Sequence, residues 1–219
     1  MFAVARVTLS FKPIAAGDHE SSAVAVLRGY LDAFIIAGLA ALLLITFVIR
    51  TFYIPSISMV PTLQVRDVLL VDELRYHLYQ PRDEDIAVFL PPFNSDGDEF
   101  IKRVMGVPGD TISIKDGIVY RNGKALKEPY ENEAPAYDLE IKNYDIYVNG
   151  VALSPRNANI PPRSKWSAPD RIPAGYYFML GDNRNYSDDS HVWGFASRNA
   201  FFGRAFLNFW PLSRFSILH

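Results

Sequence analysis

The chain has 219 residues, 49% of them hydrophobic, which is enough apolar material for a core of ordinary domain size and argues against disorder. A formal net charge of −2, from 22 basic and 24 acidic residues, leaves no basic footprint for nucleic acid. With no cysteine, disulfides, zinc thiolate sites and a cysteine nucleophile are excluded, and an extracytoplasmic compartment is suited.

Residues 1–29 form an N-terminal tail to which the sequence assigns no role. Next comes "AFIIAGLAALLLITFVI", residues 33 to 49, uncharged and bracketed by Asp32 and Arg50. As a helix this run reaches roughly 25 Å, and Tyr30, Leu31, Phe52 and Tyr53 extend it towards a bilayer's thickness. It predicts a transmembrane helix over 30–53. A cleaved secretion signal would be shorter and followed by small residues, whereas Arg50 and bulky aromatics follow here. Basic residues flank the run on both sides (Arg6, Lys12 and Arg28 before, Arg50 and Arg66 after), so charge does not orient it.

Directly after it stands "YIPSISMVPTL", residues 53 to 63, in which Ser56 and Ser58 are fenced by Pro55 and Pro61. Loops are usually polar, so an apolar loop carrying paired serines calls for a chemical reason. Beyond it the chain becomes short apolar runs separated by Gly, Pro, Asn and Asp: "DVLLVDEL", "DIAVFLPP", "FIKRVMGVPGD", "TISIKDGIVYRNGKAL", "YDIYVNGVAL", "GYYFMLGDN" and "FFGRAFLNFWP". Such runs are strands, and a mostly β domain is predicted over 54–219. Asn122-Gly123 and Asn149-Gly150 predict hairpins with type I′ turns. The polar, proline-rich stretch from about 127 to 170 marks a smaller lobe inserted over about 115–173.

A serine nucleophile needs a base within hydrogen-bond reach. Of the histidines, His19 precedes the apolar run, His219 ends the chain, and His77 sits among Tyr76, Leu78 and Tyr79, which leaves His191 in "SDDSH". The other possible base is Lys102. In a strand it shares a face with Phe100 and Val104, opposite Ile101, Arg103 and Met105. Burial among apolar neighbours lowers an ammonium's pKa, and a neutral amine can take a serine's proton. An exposed lysine snorkelling from a strand edge is the plainer reading of the same residue. The third polar cluster is "GDNRNYSDDSHVWGF", residues 181 to 195, whose Ser187, Asp188 and Asp189 could orient an amine, bind calcium or cap a loop.

Taken together, "PSISMVPTL", "KRVMGVPGD" and "GDNRNYSDDSHVWGF" resemble, in order, the nucleophile, lysine and third signature boxes of the type I signal peptidases, and "GRAFLNFWP" also fits. The resemblance implies an antiparallel β-sheet catalytic domain behind a transmembrane helix, and a serine endopeptidase using a Ser/Lys dyad with no cofactor and no metal. On it, Ser58 is the nucleophile, Lys102 the general base, and Ser56 with the Ser58 backbone amide the oxyanion hole. Ser187 orients the lysine, and Asp189, Asp182 and Arg103 support the site. Ile54, Met59, Leu63, Phe100 and Ile101 would line shallow pockets for small side chains. The implied partners are exported preproteins with small residues before the cut and the lipid bilayer, with no nucleic acid. The implied enzyme is a monomer, single-pass in a bacterial inner membrane, with its catalytic domain outside the cytoplasm. Two positions depart from the pattern: Arg66 stands where glycine is usual and His191 where arginine is usual.

Three other readings compete. A dedicated Ser/Lys peptidase for one secretion or conjugation substrate would carry the same boxes. A membrane-anchored β scaffold would have no reason to keep Ser58, Lys102 and Ser187 together. A Ser58/His191/Asp triad leaves Lys102 unexplained and takes its His and Asp from one short loop.

Overall fold

A computed structural model describes residues 22–92, 97–153 and 158–218; the predicted tail before residue 22 lies outside the described residues. The described chain falls into two compact units divided between Leu44 and Ile45.

The first unit holds most of α1 (Ser22–Val48), whose last residues fall in the second. Its sequence suits a helix because Ala, Leu and other good formers dominate it and no proline interrupts it. Large apolar side chains stand free on its surface, among them Phe34 at 82% exposure and Ile36 at 67%. Among the described residues no helix is long and apolar enough to cross a membrane, so the transmembrane helix predicted over 30–53 is not confirmed. Its far boundary is corrected. The helix stops at Val48, and residues 49–53 form strand β1 (Ile49–Tyr53), paired with β2 (Val68–Asp72) from Ile49 opposite Asp72 to Tyr53 opposite Val68. Ile49, Thr51, Phe52 and Tyr53 are β-branched or aromatic, so strand propensity takes over while hydropathy stays high.

In the second unit the chain continues through a short helix α2 (Leu74–Leu78) into β3 (Ile86–Phe89) and β4 (Phe100–Gly106). It then builds β5 (Ile112–Lys115), β6 (Ile118–Arg121), β7 (Lys124–Ala125), β8 (Leu139–Lys142), β9 (Asp145–Val148) and β10 (Val151–Ala152). It returns through β11 (Tyr176–Leu180), α3 (Ser190–Trp193), β12 (Ala196–Ser197), the long β13 (Phe201–Trp210) and β14 (Ser216–Ile217).

These strands make two antiparallel sheets. The larger runs β1-β2-β13-β3-β4-β11-β12, with β14 on β13; the smaller runs β10-β9-β8-β5-β6-β7. The smaller sheet is made of tight hairpins. Asn122-Gly123 and Asn149-Gly150 turn the chain with positive φ at both residues (52° and 74°; 50° and 80°), and Asp116-Gly117 and Asn143-Tyr144 do the same. Its inner face, with Ile112, Ile114, Val119, Leu139 and Ile146, packs with Met105, Phe178, Leu180 and Phe195 in one core cluster.

β4 is the hinge of the arrangement because it is buried on both faces. Ile101 joins a cluster with Val88, Leu69 and Val71, while Val104 joins another with Ala87, Phe89 and Met179. On one side β3 pairs with it from Phe100 to Arg103; on the other, β11 pairs only from Arg103 to Gly106. Among the described residues, Phe100–Lys102 therefore has a strand partner on one edge only.

Candidate active site

The serine loop folds as a compact turn between β1 and β2. Its apolar residues are its anchor: Ile54, Met59 and Leu63 are shut away in the core cluster beneath it. Polar fastenings hold its far end. Asp67, 1% exposed, accepts from Arg214 Nε (2.9 Å), Asn208 Nδ2 (2.9 Å) and the Gln64 amide (2.9 Å). Arg66 takes up φ 78° beside it, a left-handed conformation that glycine adopts without strain, which gives the departure at this position its physical meaning.

This loop brings Ser58 to Lys102. Lys102 Nζ donates to Ser58 Oγ at 2.8 Å and to the Ile101 carbonyl at 3.2 Å, and Ser56 Oγ lies 3.2 Å from Ser58 Oγ. Lys102 is 4% exposed, with its ammonium 5.2 Å from the centre of the Phe100 ring. Burial lowers its pKa from the ordinary 10.5 to about 8, and the negative charges of Asp189, Asp188 and Asp182 oppose the shift. Among the described residues the Ser58 N–H has no hydrogen-bond acceptor. A cleft of about 620 Å³ opens over the pair, lined by Phe52, Pro55, Ser56, Ser58, Phe100, Ile101, Lys102, Tyr186 and Asp188.

The turn after β11 closes the site from the other side. Asp182 takes Arg103 in a fork, Nε to Oδ1 at 2.8 Å and Nη2 to Oδ2 at 2.7 Å, and also accepts from Thr62 Oγ1 at 2.5 Å. One carboxylate thus ties β4 to the serine loop. A Cβ at Gly181 would collide with Ser187 Oγ and the Ser58 carbonyl, so only glycine fits there. Asp189 caps α3, accepts from the Gly181 amide at 2.9 Å, and takes His191 Nδ1 at 2.7 Å. The His191 ring stacks on Tyr137 with centroids 4.4 Å apart. Asp189 thus has its partner through an imidazole.

Ser56, Ser58, Lys102, Phe100 and Ile101 meet at the cleft, and Asp182, Arg103 and Asp189 brace it. Ile54, Met59 and Leu63, expected to line the pockets, are packed in the core cluster beneath the loop, each at most 1% exposed. Ser187 is buried beside the site, but its hydroxyl makes no hydrogen bond to Lys102 or to any other protein group among the described residues. Sequence reading missed Thr62, Asn183 and Arg184. The last is wholly buried, gripping Glu128 at 2.6 Å and 3.1 Å and the Gly181 carbonyl at 3.0 Å. Only the positions of Asn183 and Arg184 inside the third box could have drawn notice to them. Among the described residues no cluster of His, Cys, Asp and Glu could hold a metal ion.

Residues 27–210 match the protein-family model described as signal peptidase, peptidase S26. The chain belongs to the signal peptidase family. Within the family it is 39% identical over 189 residues to the probable signal peptidase I-1 of Synechocystis, covering 84% of this chain and 82% of that one. The probable signal peptidase I-2 of the same organism is also 39% identical, over 79% of this chain and 68% of its own. Signal peptidase IB of Staphylococcus aureus is 34% identical over 77% of this chain and 82% of its own. A solved signal peptidase I from Enterococcus faecalis aligns at 28% identity and a TM-score of 0.39, over 57% of this chain and 97% of that one. As a family member the chain is a peptidase, with the antiparallel, mostly β architecture described above.

Proposed function

We propose that this signal peptidase removes signal peptides from exported preproteins with Ser58 as nucleophile and Lys102 as general base. The observation that carries the reading is the 2.8 Å contact between Ser58 Oγ and a buried lysine whose pKa burial brings down to about 8. A lysine at its ordinary pKa is almost wholly charged near neutrality, whereas this one offers a lone pair at mildly alkaline pH.

In the first step the neutral Lys102 amine takes the Ser58 proton as Oγ attacks the scissile carbonyl carbon. The carbonyl oxygen becomes an oxyanion, met by Ser56 Oγ–H and the Ser58 N–H. Lys102 then passes its proton to the departing amine, which is the new N-terminus of the mature protein, leaving an acyl-enzyme on Ser58. Water, deprotonated by Lys102, repeats the sequence and frees the signal peptide. Asp182 and Arg103 hold strand and loop in register while this happens, and Asp189 with His191 holds the turn behind them.

The free edge of β4 at Phe100–Lys102 supports substrate binding as an added extended strand, with main-chain hydrogen bonds for affinity. The wall of Phe52, Phe100 and Ile101 favours small side chains near the cut by excluding larger ones. The exposed apolar surface of α1, with Phe34, Ile35, Ile36, Leu39 and Leu42, suits lipid better than water, so the enzyme is read as membrane-anchored, with its catalytic unit on the side where preproteins emerge.

The test is cleavage of a purified preprotein in detergent, with N-terminal sequencing of the product. A single cut after a small residue at the signal boundary is expected from the wild type and none from Ser58→Ala. Equal cleavage by that variant would overturn the assignment.

A further inference from the structure

The oxyanion hole needs more than a free Ser58 N–H; that N–H must point the right way. A trans peptide unit is planar, so the carbonyl of one residue and the N–H of the next point in opposite directions. The Ile57–Ser58 bond is not among the cis peptides of this chain. Whatever fixes the Ile57 carbonyl therefore fixes the Ser58 N–H.

The Val60 N–H holds that carbonyl from within the loop at 3.1 Å, and Asn183 holds it from behind the site. Its Nδ2 donates to the Ile57 carbonyl at 3.1 Å, and its backbone N–H donates to the Ser58 carbonyl at 3.0 Å. Asn183 is 3% exposed and does not line the cleft, whereas Ser56 and Ser58 do. Its own amide is held in turn. Asn132, from the connector between β7 and β8, donates Nδ2 to Asn183 Oδ1 at 3.2 Å and its backbone N–H to the Asp182 carbonyl at 3.0 Å.

We propose that Asn183 is a positioning residue, steadied by Asn132, which pins the Ile57 carbonyl so that the Ser58 N–H faces the developing oxyanion. This deepens, and rests on, the reading of Ser58 as nucleophile. It also explains why the Asn183 side chain is an amide: its nitrogen gives the Ile57 carbonyl a second donor beside the Val60 N–H, and its oxygen accepts from Asn132.

The pinned peptide is used only as negative charge forms on the substrate oxygen, so its loss acts on turnover and not on ground-state binding. Asn183→Ala should lower kcat by about 10- to 100-fold, less than removal of an oxyanion donor outright, with KM within about threefold of wild type. The pH at which kcat/KM reaches half its plateau should not move, because no group touching Lys102 has changed. Asn132→Ala, at an exposed site that tolerates truncation, should lower kcat by a smaller factor of about three to ten. The double variant should be no slower than Asn183→Ala, because both act through one amide.

All variants are assayed as the full chain in detergent on one preprotein beside Ser58→Ala. An active Ser58→Ala would remove the underlying reading. With Ser58→Ala dead, wild-type kcat in Asn183→Ala would overturn the positioning role alone. Should Asn183→Ala fail to fold, unchanged kcat in Asn132→Ala, or a loss confined to KM, would overturn it equally.

Discussion

Lys102 destabilises the fold wherever it is charged, because its ammonium is almost completely removed from water. The gap between the ordinary 10.5 and the folded value of about 8 corresponds to about 3 kcal/mol. Between those values the unfolded chain binds the extra proton, so stability rises with pH through the window from about 8 to 10.5 and the whole penalty is present below it. Lys102→Met should therefore be inactive yet more stable than wild type by up to about 3 kcal/mol at pH 7, with the advantage vanishing by pH 10.5. Urea melts of both proteins at pH 7 and pH 10.5 check this. Arg66 makes a smaller case of the same kind. Its φ of 78° costs a non-glycine residue about 1–2 kcal/mol, partly offset by the freedom a glycine gains when unfolded, so Arg66→Gly should stabilise by about 0.5–1 kcal/mol without changing turnover. At this scale the sequence was informative about chemistry and poor about surroundings. It grouped Ser56, Ser58 and Lys102, which lie together in the structure, but an apolar residue beside a loop serine reads the same whether it lines a cleft or fills a core, and Ile54, Met59 and Leu63 pack in the core cluster.

Between elements, one buried carboxylate carries most of the alignment. Asp182 joins β4 through Arg103 to the serine loop through Thr62, so its charge balances a guanidinium only 3% exposed. Asp182→Asn removes the carboxylate charge from this buried pair and should destabilise the protein by about 3–5 kcal/mol, read as a lower denaturant midpoint at unchanged slope. Thr62→Ala removes only one hydrogen bond and should cost about 1 kcal/mol while lowering kcat more than KM. Most strands and both Asn-Gly hairpins were legible because alternation and turn chemistry are local signals. The strand at 49–53 was not, since it continues the apolar run of the helix without a break. Nor were the ties from Asn183 to Ile57, 126 residues apart, or from Arg184 to Glu128, because no local pattern records them.

For the whole molecule, the proposal of an anchored enzyme rests on the exposed apolar surface of α1 and on the buried lysine of the β domain. Anchoring is tested by placing charge on the helix: an Ile36→Asp/Leu39→Asp variant should leave the membrane fraction while still cleaving a short soluble peptide, since neither residue belongs to the catalytic unit. The dyad itself is tested most directly by the pH dependence of kcat/KM on that peptide, measured from pH 6 to 10 with Lys102→Arg beside the wild type. Loss of one proton from Lys102 predicts a rise with unit slope that levels off above about pH 8, and no activity from Lys102→Arg at any pH. A flat or falling profile through pH 8, or turnover sustained by the arginine, would contradict it.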